Sequence, residues 1–487
     1  MHRLLPDAPY ESLAAYRAAT GADAVAGARA MKPEALVALI AESGLRGRGG
    51  AGFPTGRKWD TIRRHACPTR FVVCNAAEGE PGTFKDRWLI RRNPYAVVEG
   101  MLIAAHAAGA AELVIGVKES FTREIARLRA AIAELGAAIE IVEGPEEYLF
   151  GEEKALLEVI DGGGPLPREP HNPPYEVGLR ATPQSPNPAL VNNVQTLAHV
   201  PSIVRHGAAS FRATGTTDTP GTLLVTLCGD VARPGVYEVP AGVTLRTVLD
   251  REGGGGAIKA VLSGVSAAVI PAERFDTALD FESMKLAGSA LGSAGFIAIG
   301  AHASIPRVAQ SVARFLYVES CNQCSACKHG LRTSSRAIDE LFDARTATAD
   351  DIERALYGAR SAPQANRCYL PVQGSVLITS LVARFRAEFD ACVGRGDAAP
   401  AWSIPKLADF ADGRFVLDEA QGRKKPDWTY EGARPATRRL HTPAPSPAGE
   451  VGVRLAPDVR HAFAKLGGDL DAQVNAALRE WLRSRDR

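Results

Sequence analysis

The stretch Cys321-Asn322-Gln323-Cys324-Ser325-Ala326-Cys327 places three cysteines within one short turn, and Cys368 follows farther along the chain. A cubane iron-sulfur cluster takes four thiolates, and three from one tight turn with a fourth from elsewhere is a recurrent arrangement. Structural zinc sites instead take two separated Cys-x-x-Cys pairs, or one pair completed by histidines. The spacing therefore favours a 4Fe-4S cluster over zinc and indicates electron transfer.

The other cysteines and the composition describe an ordinary globular chain in a reducing compartment. The chain has 487 residues, 46% of them hydrophobic, with 57 Lys and Arg against 55 Asp and Glu. This balance gives no indication of a nucleic-acid or polyanion binder. The cysteines outside the cluster pattern are expected to be small buried hydrophobes; they are Cys67, Cys74, Cys228 and Cys392.

Cysteine usage of this kind favours the cytoplasm over an oxidising compartment. The first residues lack the apolar core of a signal peptide. The longest apolar-looking stretch, Gly100–Val117, contains His106 and Glu112 and is interpreted as a helix running into a strand. We therefore expect no direct membrane insertion, and membrane association only through partner subunits.

A second motif is the glycine-rich run Ser43–Trp59, which contains Gly47-x-Gly49-x-x-Gly52. A dinucleotide-binding turn follows a strand and opens a helix, whereas this run follows the helical pattern of Pro33–Ser43. The run is better explained as an anion-binding nest, in which backbone N–H groups and Arg46 or Arg48 hold a phosphate while a flat ring lies against the glycines. A flexible loop is the alternative.

Carboxylates and amides cluster in further segments. A short buried strand, Phe71–Asn75, leads into the acid-rich loop Ala76–Arg87, the kind of loop on which catalytic groups lie. Gly151-Glu152-Glu153 begins a helix, where the helix dipole also explains acids in the first turn. Gly162–Pro188 contains eight prolines and is predicted to be a long ordered loop that wraps a ligand. The side-chain amides of Asn192 and Asn193 could form hydrogen bonds with the edge of a heteroaromatic ligand.

Together these segments resemble the flavin- and NADH-binding subunit of respiratory complex I and the related diaphorase subunits of NAD-linked formate dehydrogenases and hydrogenases, over about Ala35–Phe389. Gly47–Gly56 with Lys58-Trp59 matches the family's flavin loop, and Asn75–Arg87 matches its second loop. The resemblance implies an NADH dehydrogenase subunit in which FMN accepts hydride from NADH and single electrons pass to a 4Fe-4S cluster.

The resemblance also implies roles for individual residues. Cofactor contacts are implied at Gly47, Arg48, Gly49, Gly50, Phe53, Lys58, Asn75, Glu78, Gly151, Glu152, Tyr175, Asn192, Asn193 and Thr196. Glu80 and Glu153 would orient the nicotinamide as catalytic residues, and the cluster ligands would be Cys321, Cys324, Cys327 and Cys368. The implied cofactors are FMN, a 4Fe-4S cluster and NAD(H). The implied partners are NADH, a thioredoxin-like 2Fe-2S subunit and a multi-cluster subunit.

Three departures separate the chain from the family pattern. Ala77 stands where the family has an aspartate, Thr61 stands where relatives often carry an aromatic residue, and the proline-rich loop lacks the family's lysine. Tyr175 in that loop is expected to stack on adenine. The lost charges are expected to change NADH affinity by a few kcal/mol at most, because charged hydrogen bonds contribute roughly 1.5 to 3 kcal/mol each. The alternative function is a non-enzymatic FMN and iron-sulfur conduit or scaffold that no longer binds NADH.

The expected fold class is α/β with several domains. They are an N-terminal extension at 1–30, a Rossmann-like FMN- and NADH-binding domain at 31–215, a ubiquitin-like β-grasp domain at 221–300, a helical bundle carrying the cluster at 301–398, a linker at 399–449 and a strand-helix-helix tail at 450–487. The linker is assigned from its proline and basic residues. The tail resembles ribbon-helix-helix DNA-binding dimers. Only Arg454 stands out on its strand, so a docking or dimerisation segment is favoured over DNA binding.

Overall fold

The computed structural model describes residues 4–430. The tail predicted at 450–487, and the end of the predicted linker, lie outside the described residues. In chain order the elements are α1 (Leu13–Thr20), α2 (Ala24–Arg29), α3 (Pro33–Ser43), α4 (Thr55–Arg63), β1 (Phe71–Ala76), α5 (Lys85–Arg92), α6 (Pro94–Ala108), β2 (Glu112–Lys118), α7 (Thr122–Glu134), β3 (Glu140–Gly144), α8 (Glu153–Ile160), β4 (Ala189–Asn193), α9 (Val194–Arg212), β5 (Thr222–Gly229), β6 (Gly235–Pro240), α10 (Leu245–Thr247), β7 (Ile258–Ser263), β8 (Ile270–Pro271), α11 (Phe281–Leu286), β9 (Gly295–Gly300), α12 (Ile305–Glu319), α13 (Ser325–Glu340), α14 (Ala349–Ser361), α15 (Leu370–Arg384), α16 (Arg386–Asp390), β10 (Leu407–Ala411) and β11 (Arg414–Leu417). Within residues 4–430 we find no helix with the length and apolar character of a membrane span.

The first sheet is parallel throughout, with strand order β3-β2-β1-β4. Its central strand is a continuous apolar run because both faces are covered. Phe71 and Val73 pack with α8 on one face, and Val72 and Cys74 pack with α6 and α9 on the other. The carboxyl ends of β1 and β4 therefore lie side by side, which is where open parallel sheets bind their ligands. This part of the chain confirms the α/β expectation.

The second sheet is mixed and has the order β6-β5-β9-β7-β8. Strand β5 pairs in parallel with β9 and antiparallel with β6. Alternate residues of β5, Leu223, Val225 and Leu227, face a core that also contains Phe296. The arrangement agrees with the predicted β-grasp module.

Four helices, α12 to α15, pack into the predicted bundle. Two glycines allow α13 and α14 to approach closely: a Cβ added at Gly330 would lie 2.6 Å from the carbonyl oxygen of Gly358. Cys324 directly precedes α13, and Cys368 lies just before α15. The bundle thus positions the cysteines at the ends of two of its helices.

The predicted linker at 399–449 differs from the structure in its described part. Residues 407–417 form the antiparallel hairpin β10–β11, and the segment that follows packs against the bundle. Lys424 is fully buried, and its Nζ lies 3.0 Å from both carboxylate oxygens of Glu319. A fully buried lysine is usually paired with a carboxylate, and nothing in a proline- and lysine-rich composition reveals such a partner. We call Gln421–Tyr430 the C-terminal strap.

Candidate functional site

A cavity of about 550 Å³ lies at the carboxyl edge of the parallel sheet. The glycine-rich loop, the ends of β1 and β4 and the start of α8 form its walls. Sequence-predicted residues in its lining are Gly47, Gly49, Gly50, Phe53, Lys58, Asn75, Glu78, Glu80, Gly151, Glu152, Glu153, Asn192, Asn193 and Thr196. The fold therefore brings together residues that are spread over about 150 positions of the sequence.

The glycine-rich loop is a closed cradle. The Gly47 N–H donates to the Phe53 carbonyl at 2.9 Å, which holds the two ends of the loop together. Gly52 has a φ of +63°, a conformation that favours glycine. A Cβ at Gly49 would lie 3.2 Å from the Cβ of Asn193. Because the wall of the loop is made of glycines without side chains, the loop leaves room for a flat ring and a phosphate, as FMN requires.

Three amides at the strand ends are held in fixed orientations. Asn75 Nδ2 donates to the Gly151 carbonyl at 2.8 Å, and Asn193 Nδ2 donates to Asp86 at 2.7 Å. Trp59 Nε1 donates to Asn192 Oδ1 at 2.9 Å. The amides are thus presented to the cavity without freedom to rotate, which favours recognition of a planar polar ligand.

Glu80 is anchored by donors from two distant parts of the chain, one of which is itself held by a third. The Tyr148 hydroxyl donates a short hydrogen bond to one carboxylate oxygen, and the Val265 N–H donates to the other at 2.8 Å. Gln373 Nε2 in turn donates to the Tyr148 hydroxyl at 3.0 Å. Burial raises the pKa of Glu80. The carboxyl group therefore has a fixed position in the cavity wall.

The two acids at the start of α8 have different surroundings. Glu152 caps the helix, because its carboxylate accepts the Lys154 and Ala155 N–H groups at 3.0 and 2.9 Å. Burial raises its pKa to about 7. Glu153 pairs with Lys58 of α4 at 2.5 Å. The capping explanation thus holds for Glu152, whereas the Glu153–Lys58 pair leaves two opposite charges at the cavity.

Two predicted contacts lie elsewhere. The Arg48 side chain is buried and donates to the Pro220 carbonyl at 2.6 Å, while its backbone N–H donates to Thr196 Oγ1. Burial lowers the pKa of its guanidinium to about 9. Tyr175 is 43% exposed and is not part of the cavity lining. The Arg48 side chain is therefore bound within the protein and Tyr175 faces solvent outside the cavity, so the phosphate contact and the adenine stacking expected of them stay predictions.

Glu78 lines the cavity, but its carboxylate is bound to the protein. One oxygen accepts the Asp86 N–H at 3.0 Å, and the other accepts Arg87 Nε at 3.0 Å. Both partners of the Glu78–Arg87 pair are 3% exposed at their side chains. The pair holds the acid-rich loop in shape, and both carboxylate oxygens of Glu78 are engaged within the protein.

Sequence reasoning missed several residues of the lining. They are Thr83, Tyr148, Ser266, Ser293, Tyr369 and Gln373. Tyr148 lies three residues before Gly151, so its closeness to a recognised motif was the one available signal. Ser266 and Ser293 come from the β-grasp sheet region and Gln373 from α15, and only the tertiary fold brings these segments to the cavity.

The four predicted cluster ligands line a second, small cavity together, and all of them are free thiols. Four thiolates are the donor set of a 4Fe-4S cluster, so the residues fit this group. Burial raises the pKa of the Cys368 thiol to about 12. The cysteines outside the pattern are buried, as predicted. Leu149, Cys368 and Leu370 line both this cavity and the larger one, so the two sites share a wall.

A glycine cradle at the edge of a parallel sheet, with a four-cysteine site across a shared wall, defines an iron-sulfur flavoprotein. Residues 40–202 match the Nuo51 FMN-binding domain, residues 224–266 the SLBB domain, and residues 307–392 the NADH-ubiquinone oxidoreductase-F iron-sulfur binding region. The chain belongs to the family of NADH-quinone oxidoreductase F subunits.

Individual relatives agree with this assignment. The chain is 37% identical to the F 2 subunit of the NADH-quinone oxidoreductase of Rhizobium meliloti (strain 1021), over 73% of this chain and 88% of that protein. It is 34% identical to the corresponding F subunit of Aquifex aeolicus (strain VF5), over 74% and 86%. Its structure resembles a chain of the NAD+-reducing [NiFe]-hydrogenase in the air-oxidized state, with a TM-score of 0.72, 34% identity and coverage of 81% and 69%.

Proposed function

We propose that the larger cavity is where this NADH-oxidising subunit of a bigger enzyme brings NADH and FMN together. FMN held against Gly47 and Gly49 would supply two-electron hydride chemistry, and a 4Fe-4S cluster held by the four cysteines would supply one-electron transfer. The observation that carries the proposal is the wall shared by the cavity and the four-cysteine site. A donor site and a one-electron acceptor site are thus adjacent within one chain.

The chain's own residues would hold the flavin from three sides. Gly47 and Gly49 leave space for the ring, and the amides of Asn75 and Asn193 offer fixed polar groups. Lys58 supplies a positive charge at the lining, next to Glu153. A phosphate or a nicotinamide carboxamide would compete with the Lys58–Glu153 pair, so ligand binding is expected to rearrange it.

The proposed acceptors are other subunits of an oxidoreductase, namely a thioredoxin-like 2Fe-2S subunit and a multi-cluster subunit. The relatives named above are single subunits of quinone-reducing or hydrogenase enzymes. We propose a cytoplasmic location, with membrane association only through those subunits. Co-purification of the tagged chain under anaerobic conditions, followed by mass spectrometry, tests both partner assignments.

The function is tested by anaerobic purification, cofactor analysis and an assay of electron transfer from NADH to ferricyanide. We expect one FMN per chain, iron and sulfide, and oxidation of NADH. A protein that contains FMN and iron but does not oxidise NADH would support the conduit alternative instead.

Replacing Glu80 with glutamine is expected to raise the KM for NADH while FMN stays bound. The carboxylate accepts hydrogen bonds from Tyr148 and Val265 and offers its remaining acceptor capacity to the cavity. Because hydrogen bonds to charged groups contribute roughly 1.5 to 3 kcal/mol, we expect an increase of about tenfold or more. The matched control is Glu143→Gln, at an exposed acid of β3. Equal KM values for Glu80→Gln and the parent protein would remove Glu80 from the nicotinamide site.

A further inference from the structure

Lys328 is a buried residue next to the turn that carries three of the four cysteines of the pattern. It follows Cys327 in sequence, and its side chain is nine-tenths buried. Its Nζ donates to the carbonyl oxygens of Tyr317 at 3.1 Å and Ser320 at 2.8 Å. Because Ser320 precedes Cys321, the ammonium group joins the residues on both sides of the cysteine turn.

The same ammonium group binds the C-terminal strap. Lys328 Nζ donates to the carbonyl oxygen of Pro426 at 2.6 Å. Further bonds attach the strap to α12: Trp428 Nε1 donates to the Val318 carbonyl at 3.0 Å, Arg314 Nη2 donates to the Gly422 carbonyl at 2.8 Å, and Lys424 pairs with Glu319. The strap is therefore fixed to the end of the helix that leads into the cysteines.

The charges in this region are not evenly matched. The carboxylate of Glu319 is paired with Lys424, and neither side chain is exposed to solvent. By contrast, the three hydrogen-bond acceptors of Lys328 are backbone carbonyls, and within residues 4–430 no carboxylate forms an ion pair with it. The ammonium group therefore donates only to neutral carbonyls beside the cysteine turn, while the carboxylates of Glu319 and Asp427 act on it from beyond ion-pair distance. A positive charge at this place is screened weakly by the protein interior.

We propose that Lys328 is a positioning residue that latches the C-terminal strap to the cysteine turn, and that its charge makes the bound cluster easier to reduce. A cluster held by four thiolates becomes more negative when it gains an electron. A nearby buried cation stabilises that more negative state, so the reduction potential rises. This inference rests on the 4Fe-4S cluster occupying the four-cysteine site.

The test compares Lys328→Gln with Lys328→Arg in the full chain. Glutamine keeps N–H donors for the carbonyls but removes the charge, whereas arginine keeps the charge. The matched control is Lys425→Gln, because Lys425 is an exposed lysine of the same strap. Iron content is measured first, and the midpoint potential of the cluster is then measured by redox titration with electron paramagnetic resonance.

We expect Lys328→Gln to retain iron and to shift the potential to a more negative value, while Lys328→Arg and Lys425→Gln stay close to the parent. A parent-like potential in iron-loaded Lys328→Gln would overturn the electrostatic role. Absence of iron from the parent protein would instead refute the cluster assignment itself, so the two failures are distinguishable.

The contact between Lys328 and the C-terminal strap can also be tested by hydrogen-deuterium exchange, which can be measured whether or not a variant contains the cluster. Trp428→Phe keeps Lys328 and an aromatic ring at this position but removes the indole N–H bond to Val318. Hydrogen-deuterium exchange of residues 421–430 is expected to accelerate in Lys328→Gln and in Trp428→Phe, but not in Lys425→Gln. Unchanged exchange in both Lys328→Gln and Trp428→Phe would overturn the latch.

Discussion

Replacing Cys368 with serine is expected to abolish the 4Fe-4S cluster while FMN remains bound. Cys368 is the proposed ligand from outside the cysteine turn, and a serine hydroxyl is a harder and far less acidic ligand that binds an iron-sulfur cluster much less well than a thiolate. The parent protein should contain about four irons and four sulfides per chain, and the variant should lose most of them. Iron and sulfide analysis and the visible spectrum after anaerobic reconstitution provide the measurement.

The matched control for this substitution is Cys392→Ser. Cys392 is also buried in the core of the bundle, but it does not line the four-cysteine cavity. Its variant should keep the iron of the parent. Full iron content in Cys368→Ser, or stoichiometric zinc without iron in the reconstituted parent, would contradict the assignment of the cluster.

Replacing Gly49 with valine is expected to give a protein that folds but purifies without flavin. The Cβ alone would lie 3.2 Å from the Cβ of Asn193, and the two methyl groups of valine would extend into the cradle. Asn193 Nδ2 is bound to Asp86, so it cannot move aside without breaking that bond. Flavin content by absorbance and fluorescence of the released cofactor measures the loss.

Gly422→Val is the control for the cradle. A Cβ at Gly422 meets no atom within 4 Å, and this glycine does not line the cavity. Its flavin content should equal that of the parent. If Gly49→Val retained full FMN occupancy, the flavin would have to lie away from the glycine-rich loop.

The parts of the fold that could be predicted from the sequence have local causes. The apolar run of β1 indicates a strand that is buried on both faces, and the glycines of Gly47–Gly52 indicate a close approach of backbone to ligand. The cysteine spacing indicates a cluster without any knowledge of the fold. Each of these features depends on residues that are close together in the sequence, so it can be recognised without knowing the fold.

The rest of the site depends on contacts between distant segments. Tyr148 and Gln373 are 225 positions apart, yet they share a hydrogen bond at 3.0 Å beside Glu80. The Arg48 side chain is buried against Pro220, although its position in the motif indicates a ligand contact. No periodicity or local composition encodes such pairings, because they follow from how the sheets and the bundle pack.

The departures from the family pattern also have a structural explanation. Ala77 is fully buried in the same core as Phe150 and Leu156 and also lines the larger cavity, so the missing carboxylate is a change in the cavity wall. Thr61 lies on an exposed position of α4, away from the cavity lining. Phe53 and Tyr369 are the exposed aromatic residues of the lining. Any aromatic stacking on the dinucleotide is therefore expected from these two rings.

The buried pair of Glu319 and Lys424 also determines how far this polypeptide can be shortened. The match to the iron-sulfur binding region ends at residue 392, which suggests a natural place to truncate. Cutting there would remove the whole C-terminal strap, and with it the hydrogen bonds of Gln421 and Lys424 to Glu319 and of Trp428 to Val318. The end of α12 that leads into the cysteine turn would then lose its cover as well as its counter-charge. A fragment made to study the four-cysteine site is therefore expected to be more stable when it extends through Tyr430.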